Sequence, residues 1–243
     1  MNSDSRIQDV YSLTPMQEGM LFHSIHDPDS SVYHDLVSLR LRGSVDVKTM
    51  EQSLADMVQR HDVLRTVFVH KSLDLPRQVV LRERKADFTY VDLRHFASPR
   101  EKSAYVADYK ARDRRRTFDL SRDMLLRLAL LQTEDEEFEF YMLHHHIILD
   151  GWSTGIFFHE LFEAYRAHDQ GRAAALPPAP SFGRYVAWLR GRDKDESLAY
   201  WERQLAGYDA AAPIPGRRAD AGEARPANQA TLTLTIDGEI LGD

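Results

Sequence analysis

The sequence predicts a mixed α/β fold, and three observations carry that expectation. Apolar runs of strand length, such as Leu125 to Gln132 and Phe138 to Leu143, sit between stretches whose apolar residues recur at helical spacing. Helix starts are marked by capping chemistry, most plainly at Thr14-Pro15-Met16-Gln17. The third is the run His144 to Gly151, in which three histidines close an aromatic and apolar strand and Asp150-Gly151 opens the turn into a helix.

Taken in order, Thr14 caps a helix with Pro15 in its first turn and Gln17 at the capping-box position, and the helix runs to about His26. Asp27-Pro-Asp-Ser-Ser ends it. Val37, Leu39 and Leu41 alternate with Ser38, Arg40 and Arg42 as a half-buried strand. Val47, Met50, Leu54, Met57 and Val58 form one face of an amphipathic helix that stops near Arg60-His61. Val63 to Val69 reads as a strand, with Gln78 to Leu81 as its hairpin partner. Residues 99–116 read as a helix. After the histidines, Ile156, Phe157, Leu161, Ala164 and Tyr165 mark another helix, with Asp150 or Ser153 as its N-cap. Residues 171–180 are rich in Ala and Pro and read as a linker. Two helical stretches follow, Phe182 to Arg192 and Glu196 to Leu205. Residues 207–228 offer little to bury, and Thr231 to Ile236 alternates as a short strand.

Composition narrows the function. With 243 residues, 43% hydrophobic and 28% charged, the chain is an ordinary globular sequence, and its formal net charge of −7 argues against a nucleic-acid binder. The local cluster Arg112, Arg114, Arg115 and Arg116 reads as a solvated face. The absence of cysteine excludes a disulfide framework and a thiol nucleophile. No apolar run approaches the ~20 residues of a membrane span, and the first residues lack the apolar segment of a signal peptide, so a cytoplasmic protein is expected. Side chains alternate across a strand, so His145 faces away from His144 and His146. Two imidazoles and Asp150, with no HExxH helix, make a poor metal site, and no metal is expected.

Four stretches together resemble the condensation domains of non-ribosomal peptide synthetases, members of the chloramphenicol-acetyltransferase-like superfamily. Leu13 to Ser24 is similar to the family's first helix. Arg60 to Phe68 follows its RHxxLRTxF element, and His145 to Ser153 its HHxxxDGWS element. Phe182 to Trp188, followed by Tyr200-Trp201, resembles its later aromatic helices, although Arg184 stands where the family pattern has an acidic residue. The resemblance implies half of a V-shaped, two-lobed domain, each lobe an α/β (α+β) sandwich with a mixed β-sheet flanked by helices: residues 1–175 as an N-terminal lobe, and residues 176–243 as bridging helices and the start of a truncated second lobe. No equivalent of the family's later motifs is found.

The resemblance also implies the chemistry. A condensation domain joins a donor aminoacyl or peptidyl thioester to the amine of an acceptor aminoacyl thioester. Both substrates hang on phosphopantetheine arms of carrier proteins, and no cofactor is bound directly. His146 matches the catalytic histidine, either as general base or as the group that positions the amine and stabilises the tetrahedral intermediate. Gly151 either permits close approach, with its N–H facing the reacting carbonyl, or is a turn glycine. Asp150 is expected to form a structural ion pair with Arg60 or Arg65, and His145 to be a packed scaffold residue. Trp152, Trp188 and Trp201 are expected in the core.

Expected partners are the donor and acceptor peptidyl carrier proteins and an adenylation domain of the same synthetase. Neither nucleic acid nor membrane is among them. An exposed inter-lobe face would favour self-association, and a lone lobe would have little activity. The alternatives are an epimerisation domain of the same superfamily, a stand-alone acyltransferase using coenzyme A, and a non-catalytic half-domain that binds a carrier protein.

Overall fold

The structure, a computed structural model, describes residues 6–71 and 73–209. The described residues form β1 (Ile7–Ser12), α1 (Pro15–His26), β2 (His34–Arg42), α2 (Val47–Arg60), a 3-10 turn (Asp62–Arg65), β3 (Thr66–Val69), β4 (Arg77–Leu81), β5 (Asp87–Asp92), α3 (Pro99–Arg115), β6 (Leu126–Glu134), β7 (Glu137–His145), α4 (Gly151–Asp169), α5 (Phe182–Arg190) and α6 (Lys194–Gln204). The chain divides into two compact units at Arg192–Asp193; the seven strands and α1 to α5 belong to the first, and α6 to the second. The strand expected at Thr231–Ile236 lies outside the described residues.

Two sheets stand where one was expected. The larger has the order β2-β7-β6-β5, antiparallel except for the parallel pair β5–β6, and is therefore mixed. Its central strands are buried on both faces, which is why Leu126 to Leu131 is a nearly unbroken buried run instead of an alternating one. Phe140 and Tyr141, adjacent on β7, point to opposite faces. The Phe140 ring lies 5.7 Å from Phe158 and 6.1 Å from Phe162 on α4, while Tyr141 meets Tyr109 of α3 edge-on at 5.7 Å. Helices thus cover both faces; α2 packs beside α4 and buries Met50, Leu54, Met57 and Val58.

The smaller sheet, β1-β4-β3, is antiparallel and includes the expected hairpin of β3 and β4. Strands β1 and β5 have no counterpart in the sequence reading. The six-residue IQDVYS and DFTYVD each carry aspartate, a residue depleted in strands, and become strands only through their neighbours. The stretch from Val63 also begins differently: it winds as a 3-10 turn until Arg65, and the strand starts at Thr66. The cause is Arg65 itself. Its buried guanidinium turns back to donate to the Val58 and Gln59 carbonyls at the end of α2, at 2.9 and 3.0 Å.

Gly183, the second residue of α5, is a glycine for a packing reason. A Cβ there would stand 3.1 Å from the Tyr11 ring of β1, so a larger residue would push that ring back by a few tenths of an ångström.

Candidate active site

The histidine run lies where β7 ends. In the antiparallel register of β2 and β7, His144 stands opposite Asp35 and His145 opposite His34. Residues directly opposite share a face, so Asp35, His144 and His146 gather on one side and His34 and His145 on the other.

His145 is buried, and both its ring nitrogens are committed. Nδ1 accepts from the Ile147 N–H at 3.1 Å. Nε2 lies 3.2 Å from the Ser24 hydroxyl, whose own hydrogen goes to the Met20 carbonyl at 3.0 Å, so Nε2–H is the donor. Rings of His34, Tyr33 and Phe118 surround it at 5.9 to 6.3 Å. Burial pushes this imidazole down to about 3.

His146 differs. Its N–H donates to the Tyr33 carbonyl at 2.8 Å, which pins the backbone, and its side chain is 35% exposed. Nδ1 lies 2.5 Å from Asp35 Oδ2, and Nε2 has no hydrogen-bond partner among the described residues. His144 is buried, with Nε2 at 3.5 Å from the same carboxylate oxygen and neither ring nitrogen hydrogen-bonded. His144 and then His146 draw the Asp35 carboxyl below the usual aspartate range, against the upward push of burial.

The loop after His146 is held from behind. Gln17 Nε2 donates to the Ile147 carbonyl at 3.2 Å and forms a reciprocal amide pair with Gln78 at 2.8 and 3.1 Å. The capping box expected at Thr14 and Gln17 is present, and the same glutamine ties α1 to the histidine loop.

The expected ion pair of Asp150 does not form. Asp150 is the N-cap of α4, and its carboxylate accepts the Ser153 N–H at 2.7 Å, which holds it below the usual aspartate range. A short cap within three residues satisfies that carboxylate locally. Arg60 instead grips Glu160 of α4 with two hydrogen bonds at 2.8 and 3.3 Å, and its other contact is the Pro177 carbonyl. His61 Nε2 reaches the same Glu160 at 2.6 Å. Arg65 pairs with Asp62 at 3.0 Å and with Gln8 at 2.7 Å, far from any role at Asp150. Burial pushes the Glu160 carboxyl up, yet the hydrogen bonds from Arg60 and His61 hold it below the usual glutamate range.

Gly151 is the first residue of α4, has no left-handed backbone, and would meet nothing within 4 Å if it carried a Cβ. Neither strain nor crowding within the chain requires a glycine, and the space beside it is open. Asp150 caps the Ser153 N–H, so the N–H groups of Gly151 and Trp152 remain available at the positive end of α4. Beside this turn lies a cavity of about 710 Å³ lined by Ile148, Leu149, Ser153, Ile156 and Tyr185 among others. Among the described residues no group of His, Asp or Glu is arranged to hold a metal ion.

The sequence profile of the family described as "Condensation domain" matches residues 7–241. The chain belongs to the condensation-domain family. Surfactin synthase subunit 3 of Bacillus subtilis is 41% identical over 207 residues, covering 85% of this chain and 16% of that protein. Tyrocidine synthase 3 of Brevibacillus parabrevis is 37% identical over 218 residues, covering 90% of this chain and 3% of its own length. The starter condensation domain of rhizomide synthetase superposes with a TM-score of 0.74 at 22% identity, covering 82% of this chain and 50% of that one. The first condensation domain of the CDA synthetase gives 0.70 at 22% identity, over 85% and 50%. The chain therefore spans about half of the solved condensation domains it matches. The relatives named here are synthases or synthase subunits, and the chain spans only a small part of each.

Two residues of this condensation-domain chain escape a reading of its motifs, and each left a signal. Asp35 has the same strand parity as Val37 and Leu41, whose side chains pack against the core. Glu160 falls three residues after Phe157 and four before Ala164, on the buried stripe of α4. A carboxylate on an inward-facing position demands a partner. The tryptophans also differ from expectation: Trp152 is 88% exposed, and Trp188 and Trp201 are exposed as well.

His145 makes stability depend on pH. Its folded value near 3 lies below the ordinary 6.5, so the unfolded chain binds the extra proton between those limits. Stability is then full above about pH 6.5 and falls on acidification by up to about 1.4 kcal/mol per pH unit. Between pH 7.5 and 5 the wild-type melting temperature should drop, and His145→Gln should reduce that slope. Burial pushes the neighbouring His34 imidazole down as well, so the slope that remains in His145→Gln belongs to His34. A flat wild-type profile from pH 7.5 to 5 would rule out a neutral, buried His145.

Proposed function

We propose that this chain supplies the histidine-bearing half of an amide-forming active site, in which an acceptor α-amine attacks a donor thioester. The observation that carries this is the pairing of an open His146 Nε2 with the uncapped N-terminal N–H groups of α4 five residues later. The attacking amine must lose a proton, and a half-exposed imidazole at neutral pH is suited to take it. The carbonyl oxygen gains charge as the tetrahedral intermediate forms, and the Gly151 N–H at a helix N-terminus is suited to stabilise it. The C–N bond forms, the C–S bond breaks, and the thiolate leaves on its carrier. His145 and Gln17 hold the loop, while Arg60, Glu160 and Arg65 brace the helix and turn around it.

Both substrates arrive on phosphopantetheine arms of donor and acceptor peptidyl carrier proteins, in the cytoplasm, with an adenylation domain of the same synthetase loading them. Residues 1–175 form the N-terminal lobe, and 176–243 the bridging helices and the start of the second. Met16, Phe22, Trp152 and Ile156 are exposed apolar side chains, and apolar surface that a second lobe would cover favours self-association of the chain alone and leaves turnover low.

The test uses a complete condensation domain containing these residues, with donor and acceptor carriers loaded separately. Intact-protein mass spectrometry should find the dipeptidyl product on the acceptor carrier. Deuterium wash-in at the α-carbon of a tethered residue, with no dipeptide, would identify an epimerisation domain instead. Binding of carriers with neither reaction would leave a docking module.

A further inference from the structure

We propose that Asp35 is the positioning residue of His146, holding its Nδ1–H so that Nε2 is the nitrogen offered to the reacting amine. The inference rests on the amide-forming reading only for the origin of the proton; the arrangement itself stands on geometry. An ionised carboxylate only accepts hydrogen bonds, so the 2.5 Å contact from Asp35 Oδ2 to Nδ1 requires the hydrogen on Nδ1. A neutral imidazole has one N–H, and Nε2 is then bare. His146 Nε2 is also the ring nitrogen with no partner among the described residues, and the side chain is open to solvent.

The pair is set up by the fold. The β2–β7 register places Asp35 opposite His144, so His146, two residues beyond His144, turns to the same face. The backbone bond from His146 N–H to the Tyr33 carbonyl, two residues before Asp35, fixes the spacing between the two chains. Packing alone gives little reason for the arrangement. Asp35 is 44% exposed, and an ion pair at such a position contributes little to stability. Buried His144 turns its Nε2 to the same oxygen at 3.5 Å, so the Asp35 carboxylate faces both imidazoles of this side of the strand. The other ionisable groups nearby are His34 and His145 on the opposite face and Asp150 across the loop; His34 and His145 are held neutral by burial, and Asp150 is committed to Ser153. Asp35 is thus the carboxylate that sets the tautomer.

The test reads the tautomer and the reaction separately. Ring-nitrogen NMR of this chain above pH 7.5 should show His146 protonated at Nδ1 and bare at Nε2. Asp35→Asn should mix the two tautomers. In a complete condensation domain the same variant should lower kcat by about 10²-fold with KM within about twofold, and Asp35→Glu should recover at least tenfold of that loss. A wild-type His146 protonated at Nε2 overturns the proposal even if Asp35→Asn fails to fold. So does an unchanged tautomer in Asp35→Asn, or a kcat within threefold of wild type. Failure of the amide-forming reading is distinct: the wild-type domain would then give no dipeptide while its His146 tautomer stays as described.

Discussion

His146→Ala should lower amide formation in a complete condensation domain by about 10²- to 10⁴-fold, the usual scale of general acid–base assistance, while leaving the fold intact. The expectation separates chemistry from stability because the two neighbouring histidines divide those tasks. His146 is half-exposed, and its one side-chain hydrogen bond goes to a half-exposed aspartate, so truncation creates no cavity and strands no buried charge. Its melting temperature should stay within a few degrees of wild type. His145 is buried with both nitrogens bonded, so His145→Ala removes a ring from the core and leaves the Ile147 N–H and the Ser24 hydroxyl short of a partner. That variant should melt well below wild type whatever it does to turnover. Dipeptidyl product on the acceptor carrier, followed over time by intact-protein mass spectrometry, reads the effect. Near-normal product from His146→Ala would remove this imidazole from proton handling and leave catalysis to substrate positioning.

How far the site was legible depended on the range of the interactions. The capping box at Thr14 and Gln17, the helix from Asp150, and the opposed faces of His145 and His146 are set within a few residues, and strand and helix periodicity exposes them. Asp35 and Glu160 are joined to their partners across more than ninety residues, by the β2–β7 register and by the packing of α2 on α4. Nothing local announces such pairings except a carboxylate on an inward parity. The same reason accounts for β1 and β5, whose short, aspartate-bearing sequences become strands by pairing with β4 and β6. It also accounts for Asp150. Long-range pairing with an arginine and local capping both fit its sequence, and the N–H three residues away wins because it brings no chain-closure entropy.

Glu160→Ala should therefore be the most destabilising substitution in the site, by about 3–5 kcal/mol, the usual cost of breaking a buried ion pair from one side. Glu160 and Arg60 have side chains 10% and 18% exposed, and the carboxylate accepts two bonds from Arg60 and one from His61. Its removal strands a guanidinium whose other contact is the Pro177 carbonyl, where the 177–182 segment lines the cavity beside α4. Asp150→Ala should lose only a helix cap, about 1 kcal/mol, because its carboxylate serves Ser153 and no arginine. Glu160→Gln keeps one acceptor for Arg60 and should fall between them. Denaturant midpoints at pH 7.5 for the three variants of this chain give the ranking. Equal losses for Glu160→Ala and Asp150→Ala would mean that the Arg60–Glu160 pair is solvent-screened in solution; a larger loss for Asp150→Ala would return the arginine to Asp150 and require a different packing of α2 against α4.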